Sequence, residues 1–233
     1  CGAIGSWTAH FLTMNFVSNF ILIDFDRVEP GNLGGRTVYT PGQIGMRKVE
    51  ALAERLRELN PRISVHTIAG GAELLLSRDM RDLVARVDLL INTFDDMQVL
   101  VRVADHFHAR IPQLFAGFHR NGRSGHVLFT RFPDTPCFRC SLGVRRGNPF
   151  RRLSAAIALP ADIQHVSFRA ARIALALLVS GERGGVPGRW LREVPSNFLF
   201  IDNRAGDYRD GWVQTSRNPE CPVCGNRTGR TGE

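Results

Sequence analysis

Four cysteines stand in two CxxC pairs, Cys137/Cys140 and Cys221/Cys224. Two such pairs from distant parts of a chain suit one tetrahedral metal site, and four thiolates point to structural zinc. Thioredoxin-like redox chemistry would need only one pair, at a helix start. The fifth cysteine, Cys1, makes the count odd, so a fully paired disulfide framework within the chain is excluded. A second group of residues has the types that phosphate chemistry needs. Cys1-Gly2-Ala3-Ile4-Gly5-Ser6 is a glycine-rich turn, followed by the acids Asp24 and Asp26. Backbone N–H groups at such a turn can cradle a phosphate, and an acid about 20 residues on is placed to bind a ribose hydroxyl. Beyond the acids come a polar loop, Pro30-Gly31-Asn32-Leu33-Gly34-Gly35-Arg36, then Lys48, then Asp95-Asp96. Lys48 is the only lysine; every other basic residue is arginine. A compact, flexible ammonium is preferred to a guanidinium fork where a point charge is wanted, as on a phosphate.

These residues need a frame. Residues 1–19 read as the phosphate turn and a first helix, with Trp7 and Phe11 one turn apart. Residues 20–26 read as a strand ending on its acids. A helix from Gln43 to Leu59 shows apolar spacing at Val49, Leu52, Leu56 and Leu59, and stops at Asn60-Pro61. Ile63 to Ala69 reads as a strand and Glu73 to Arg86 as one helix. Asp88 to Thr93 is a short apolar run typical of a strand covered on both faces, and it delivers Asp95 to the edge where open α/β sheets bind ligands. A helix from Met97 to Arg110 follows. Two strands, Pro112 to Phe118 and Gly125 to Phe132, come next across a polar turn. Ile163 to Val179 reads as a long apolar helix, either buried or facing a second subunit, and Phe198 to Asp202 as the last strand. The spacing predicts a Rossmann-like, doubly wound α/β domain, with a mostly parallel sheet, an antiparallel extension and a four-cysteine zinc site.

Composition narrows the function classes. At 233 residues with 43% hydrophobic content the chain suits one globular domain. Its most apolar run, Ile173 to Val179, is far short of the ~20 residues a membrane span needs. The net charge of +8 fits either a solvated arginine-rich surface or an acidic partner. Thiols kept for zinc imply a reducing, cytoplasmic setting.

Asp24-Phe25-Asp26-x-Val28-Glu29-x-x-Asn32-Leu33, followed by Gly45-x-x-Lys48, resembles the adenylating domain of the ThiF/MoeB/HesA family, relatives of ubiquitin-activating enzymes. Asn60-Pro61, Thr93-Phe94-Asp95-Asp96, Pro136-Cys137-Phe138-Arg139-Cys140 and Asn218-Pro219-Glu220-Cys221-Pro222-Val223-Cys224-Gly225 match in the family's order over nearly the whole chain. The resemblance implies ATP- and magnesium-dependent adenylation of a C-terminal carboxylate. The substrate would be a ubiquitin-like sulfur carrier or modifier, or a peptide. A sulfur-transfer or conjugating protein would be a further partner, and a homodimer is expected.

Site roles follow from the same likeness. Backbone at Gly2, Ala3 and Gly5 would hold phosphate, Asp24 the ribose, Lys48 the phosphate charge and Asp95 magnesium. Asp96 stands where the family has Asn, and reads as a further acid beside the metal or as a helix N-cap. Asn32 would bond phosphate or the incoming carboxylate, with a plain turn-forming role as the alternative. The family's Asn-Leu-x-Arg-Gln reads here Asn32-Leu33-Gly34-Gly35-Arg36, so its phosphate-contacting arginine is shifted by one. Gly34-Gly35 would give the loop freedom for Arg36 to take the place. The arginine expected five residues after Asp95 is Leu100, with Arg102 on another helical face. The basic stretch holding Arg145, Arg146, Arg151 and Arg152 would approach the acceptor peptide or serve as a solvated connector. The turn lacks its first glycine and a preceding strand, so residues 1–233 read as one adenylation domain cut at its N-terminus.

Two rivals stand. A nicotinamide-dependent oxidoreductase would share the glycine turn and the acid but leaves Asn32, Lys48 and Asp95 unexplained. A nucleic-acid-binding zinc protein would suit the charge but lacks a reading element or an aromatic platform.

Overall fold

The computed structural model describes residues 1–119, 122, 124–143, 158–179, 190, 193–203 and 209–225. Helix α1 (Ala3–Met14) starts at Gly2 and buries Ile4 and Leu12. Its buried hydroxyls are satisfied within the helix, as where Thr8 Oγ1 donates to the Ile4 carbonyl at 2.8 Å. Among the described residues no strand comes before it. Strand β1 (Asn19–Ile23) and strand β2 (Ser64–Ile68) pair in parallel, joined through α2 (Lys48–Leu59). The apolar spacing of α2 lays Val49, Leu52 and Leu56 onto Leu22 and Ile63. Its helical turns begin only at Lys48, because Pro41–Gln43 forms a separate 3₁₀ turn.

The helix expected over 73–86 is broken. A 3₁₀ turn spans Ala72–Leu76, and α3 is only Arg81–Val84. Three consecutive leucines, Leu74 to Leu76, cannot share one helical stripe, and Ser77 turns extended after them. Strand β3 (Leu90–Asn92), α4 (Met97–Phe107) and β4 (Gln113–His119) form a second parallel crossover. Strands β5 (Ser124–Thr130), β6 (Phe198–Asp202) and β7 (Arg209–Val213) extend that sheet in the order β3-β4-β5-β6-β7.

The expected mostly parallel sheet is therefore corrected. Two of the described pairings are parallel and three antiparallel, and β1-β2 forms a sheet of its own. Each parallel pair is joined through a crossover that contains a helix, α2 or α4. Strand β5 follows β4 in the chain with no helix between and pairs antiparallel, and β6 pairs antiparallel with β5 although helical segments separate them. Strand β7 has no counterpart in the sequence reading, since Arg209 to Val213 offers only Trp212 and Val213 as apolar signals.

Helices cover both faces of the five-stranded sheet. Leu114, Ala116, Val127, Phe129, Leu199 and Ile201 point to α6 (Pro160–Val179) and α1. Phe115 and Leu128 point the other way, onto α4 and α5 (Phe138–Ser141). Of the two readings offered for the long apolar helix, burial fits: Ile163, Val166, Ala170, Ile173 and Ala174 are nearly inaccessible. Arg145, Arg146, Arg151 and Arg152 lie outside the described residues. No helix among the described residues is long and apolar enough to cross a membrane.

Candidate active site

The first amides of α1 have no intrahelical acceptor, and they open beside Gly2, where an added Cβ would meet nothing within 4 Å. Gly5 is a different kind of glycine. A Cβ there would sit 2.6 Å from Thr93 Oγ1, so only glycine lets α1 approach the chain leaving β3 this closely. That contact brings the helix start beside the segment that carries Asp95.

At the end of β1, Asp24 is half-buried. Its carboxylate accepts the Asp26 amide at 2.9 Å. From here the chain is stitched to the lead-in of α2. Val28 N donates to Met46 O, Gly45 N to Val28 O and Lys48 N to Asp26 O, each at 2.9 Å. Two arginines add to the seam, Arg27 Nη1 donating to Gly45 O at 2.7 Å and Arg47 Nη1 to Phe25 O at 2.9 Å. Lys48 becomes the first residue of α2, with its Nζ 2.7 Å from Asp26 Oδ2. Tyr39 ties the same corner, its hydroxyl donating to Cys1 O at 2.6 Å and lying 3.3 Å from Lys48 O. Burial, with Asp24 and Asp26 near, pushes that phenol well up.

Asn32 does the local work of a turn. Its Oδ1 accepts the Glu29 amide at 2.9 Å, closing a reciprocal cap on the 3₁₀ turn Pro30–Asn32. Gly34 and Gly35 then take φ of 71° and 83°, the left-handed region that favours glycine. Gly35 lies against α1 and α6: its carbonyl accepts Trp7 Nε1 at 3.0 Å, and a Cβ would come within 3.3 Å of Pro160. Arg36, the next residue, is half-buried.

The two acids after β3 part company. Asp96 is the N-cap of α4, accepting Gln98 N at 2.9 Å and Val99 N at 3.1 Å. Asp95 is exposed, and no hydrogen bond or ion pair to its side chain is found among the described residues. Leu100 is buried in α4, and Arg102 is exposed on another side.

The four paired cysteines meet. Cys137 and Cys221 Sγ atoms lie 3.6 Å apart, Cys140 and Cys224 3.5 Å, and all four fall within 4.8 Å of one another. A tetrahedron of ~2.3 Å metal–sulfur bonds has edges of about 3.8 Å, so the set fits a metal ion. Backbone amides point inward, Asn218 N at Cys140 Sγ and Val223 N at Cys221 Sγ. Although burial opposes it, the amides of Cys224 and Val223 hold the Cys221 thiol down at about 7. Arg139, between the first two cysteines, clasps Asp105 of α4 at 2.7–3.0 Å. A cleft of ≈ 770 Å³ lies here beside Asp105, His108, Phe132 and Val223, at the far end of α4 from Asp95.

Gly5 thus meets the Asp95 segment through Thr93, and Asp24, Lys48 and the helix start are tied together through Asp26 and Tyr39. Sequence reasoning assigns no role to Tyr39 and marks Asp26 only as the second of two acids. The ThiF family model matches residues 1–223. The chain belongs to the ThiF family. Among ThiF-like relatives, it is 34% identical over 150 residues to ubiquitin-like modifier-activating enzyme 5 of Drosophila pseudoobscura pseudoobscura, a match covering 60% of this chain and 38% of that protein. It is 25% identical over 225 residues to the molybdopterin-synthase adenylyltransferase of Escherichia coli K12, covering 96% and 84%. The chain therefore spans well under half the length of the Drosophila protein. E. coli MccB with ATP superposes at a TM-score of 0.71 and 20% identity, over 97% of this chain and 64% of that one, which shows a shared fold.

Proposed function

We propose that the chain adenylates the C-terminal carboxylate of a ubiquitin-like sulfur carrier or modifier, or of a peptide, using ATP and magnesium and releasing pyrophosphate. Membership of the ThiF family supports the reaction class, and two named relatives are an activating enzyme and an adenylyltransferase. The single observation that carries the reading is the convergence of an open helix start, a ribose-type acid and the chain's one lysine on a strand edge.

Adenylation must bring two anions together and stabilise the charge that moves onto pyrophosphate. That work is positioning and electrostatics. In this reading the amides of Gly2, Ala3 and Gly5 receive phosphate oxygens, and Asp24 accepts the ribose hydroxyls. Lys48 Nζ faces the phosphates and offsets the charge on the leaving group. Arg36, freed by two left-handed glycines, supplies the family's displaced guanidinium. Asn32 keeps the loop in shape through its cap, with its amide nitrogen left for a phosphate or the incoming carboxylate. Asp95 is an exposed carboxylate suited to magnesium, which is usually held by one or two carboxylates with phosphate oxygens and would supply charge neutralisation there. Zinc on Cys137, Cys140, Cys221 and Cys224 would cross-link the start of α5 to the residue 218–225 turn and take no part in the chemistry.

Exchange of labelled pyrophosphate into ATP, in the presence of candidate carrier proteins and peptides, tests the reading. With the substrate that supports exchange, Lys48→Ala should lower the rate by about 10²–10³-fold, as for loss of one preorganised charge. Arg36→Ala should do the same. Near-normal exchange in Lys48→Ala would remove the site assignment, whereas near-normal exchange in Arg36→Ala would remove only the replacement of the family arginine.

A further inference from the structure

The seam between residues 25–28 and 45–48 does more than close a loop. It runs antiparallel, with Arg27 opposite Arg47, and its register sets Lys48 over Asp26 twice. The Lys48 amide donates to Asp26 O at 2.9 Å and the ammonium reaches Asp26 Oδ2 at 2.7 Å. The lysine side chain is only 11% exposed, the aspartate 47%. Asp26 is itself aimed by its neighbour, since its amide donates to Asp24 Oδ1. A ribose-type acid therefore orients a second acid, and the second acid orients the lysine.

We propose that Asp26 is a positioning residue for Lys48, holding the ammonium ready for the triphosphate. This rests on the adenylation reading. An ammonium has three donors, so one bond to Asp26 leaves two for phosphate oxygens. A lysine on its four-carbon stem must otherwise be ordered as the nucleotide binds, and that ordering is the largest avoidable loss at such a contact. Because Asp26 is half exposed, solvent screens its repulsion of phosphate, while the geometry it imposes on Lys48 remains. The bland alternative is a surface ion pair of no consequence for the nucleotide.

The single lysine makes the test direct. Purified, metal-loaded protein is treated with trace acetic anhydride, and modification at Lys48 is quantified by peptide mass spectrometry, with and without ATP–magnesium. Binding of ATP–magnesium is measured by calorimetry. Asp26→Asn should raise Lys48 acetylation at least about five-fold in the absence of nucleotide. It should weaken ATP–magnesium binding by about ten-fold, the scale of fixing a free lysine side chain. Asp26→Glu, which keeps the charge, should restore most of the affinity. In a Lys48→Gln background, Asp26→Asn should cause no further loss, because the aspartate acts through the lysine. Wild-type affinity in Asp26→Asn, or an equal loss in the Lys48→Gln background, overturns the inference while leaving adenylation standing. A wild-type chain that binds no ATP overturns the adenylation reading, and the inference falls with it.

Discussion

Replacing Asp96 with alanine strips two amides at the start of α4 of their acceptor, at 2.9 and 3.1 Å. Loss of such an N-cap costs ~1 kcal/mol, within about 0.5–2. The favourable place of a carboxylate at the positive end of the helix goes with it. Domains of this size lose ~2–4 °C of Tm per kcal/mol, so Asp96→Ala should melt ~2–4 °C lower, within a range of about 1–8 °C. Asp95→Ala, one residue away, removes an exposed carboxylate with no partner among the described residues. Its cost should stay within ~0.5 kcal/mol. Activity should rank the other way. Asp95→Ala should lose about 10²–10³-fold in pyrophosphate exchange, and Asp96→Ala should keep most of it below its melting point. Thermal melts without nucleotide and exchange at 25 °C on the same preparations give both numbers. Equal losses of Tm, or full exchange in Asp95→Ala, would refute the division of labour between the two acids.

Protein purified without chelator should carry about one zinc per chain, and Cys137→Ser or Cys221→Ser should lose the metal and melt lower; chelator without effect on Tm would argue against a structural metal. His126 is fully buried, and burial, reinforced by His119, lowers its pKa to about 3. Its folded pKa lies below the unfolded value near 6.5, so the unfolded chain takes up the proton first. Stability should be complete above ~6.5 and fall toward pH 3, by ~2 kcal/mol between pH 7 and 5. His126→Leu should abolish that share of the slope in denaturant titrations, and an unchanged slope would contradict the assignment. The acyl group should stay on AMP without a thioester on residues 1–233. Four of the five cysteines are gathered in one cluster, and Cys1 lies at the glycine turn. An adduct sensitive to thiols and mapped to any of the five would overturn this.

Much of the frame could be read in advance because local patterns carried it. The α2 spacing and the apolar run from Asp88 to Thr93 each named a face or a strand that the fold uses, the strand itself being Leu90–Asn92. What could not be read depended on partners far away in sequence. The leucines at 74–76 looked helical until Ser77 turned extended, and β7 needs β6 beside it before its weak alternation means anything. The site shows the same division. Asp24, Lys48 and the cysteines stood out by type and spacing. Asp26's grip on Lys48 could not, because it depends on the register of a seam between segments about 20 residues apart. Asn32 and Asp96 each make local capping bonds, a role that residue type alone leaves open.

The seam also separates what can drift in this region from what cannot. Residues 29–44 form a closed excursion whose ends are fastened at Val28 and Gly45, and lengthening such a loop adds little closure entropy. One residue inserted beside exposed Gly34 would disturb the packing of Gly35 against Trp7 and Pro160 but leave both fastened ends in register. The same insertion between Asp24 and Val28, or between Gly45 and Lys48, would slip the seam by one step and turn the lysine away from the aspartate. Length in this part of the chain is therefore a poor guide to kinship, and alignments anchored on a constant interval from acid to lysine would misplace relatives whose loop has grown. The two short arms, matched against each other, are the dependable ruler.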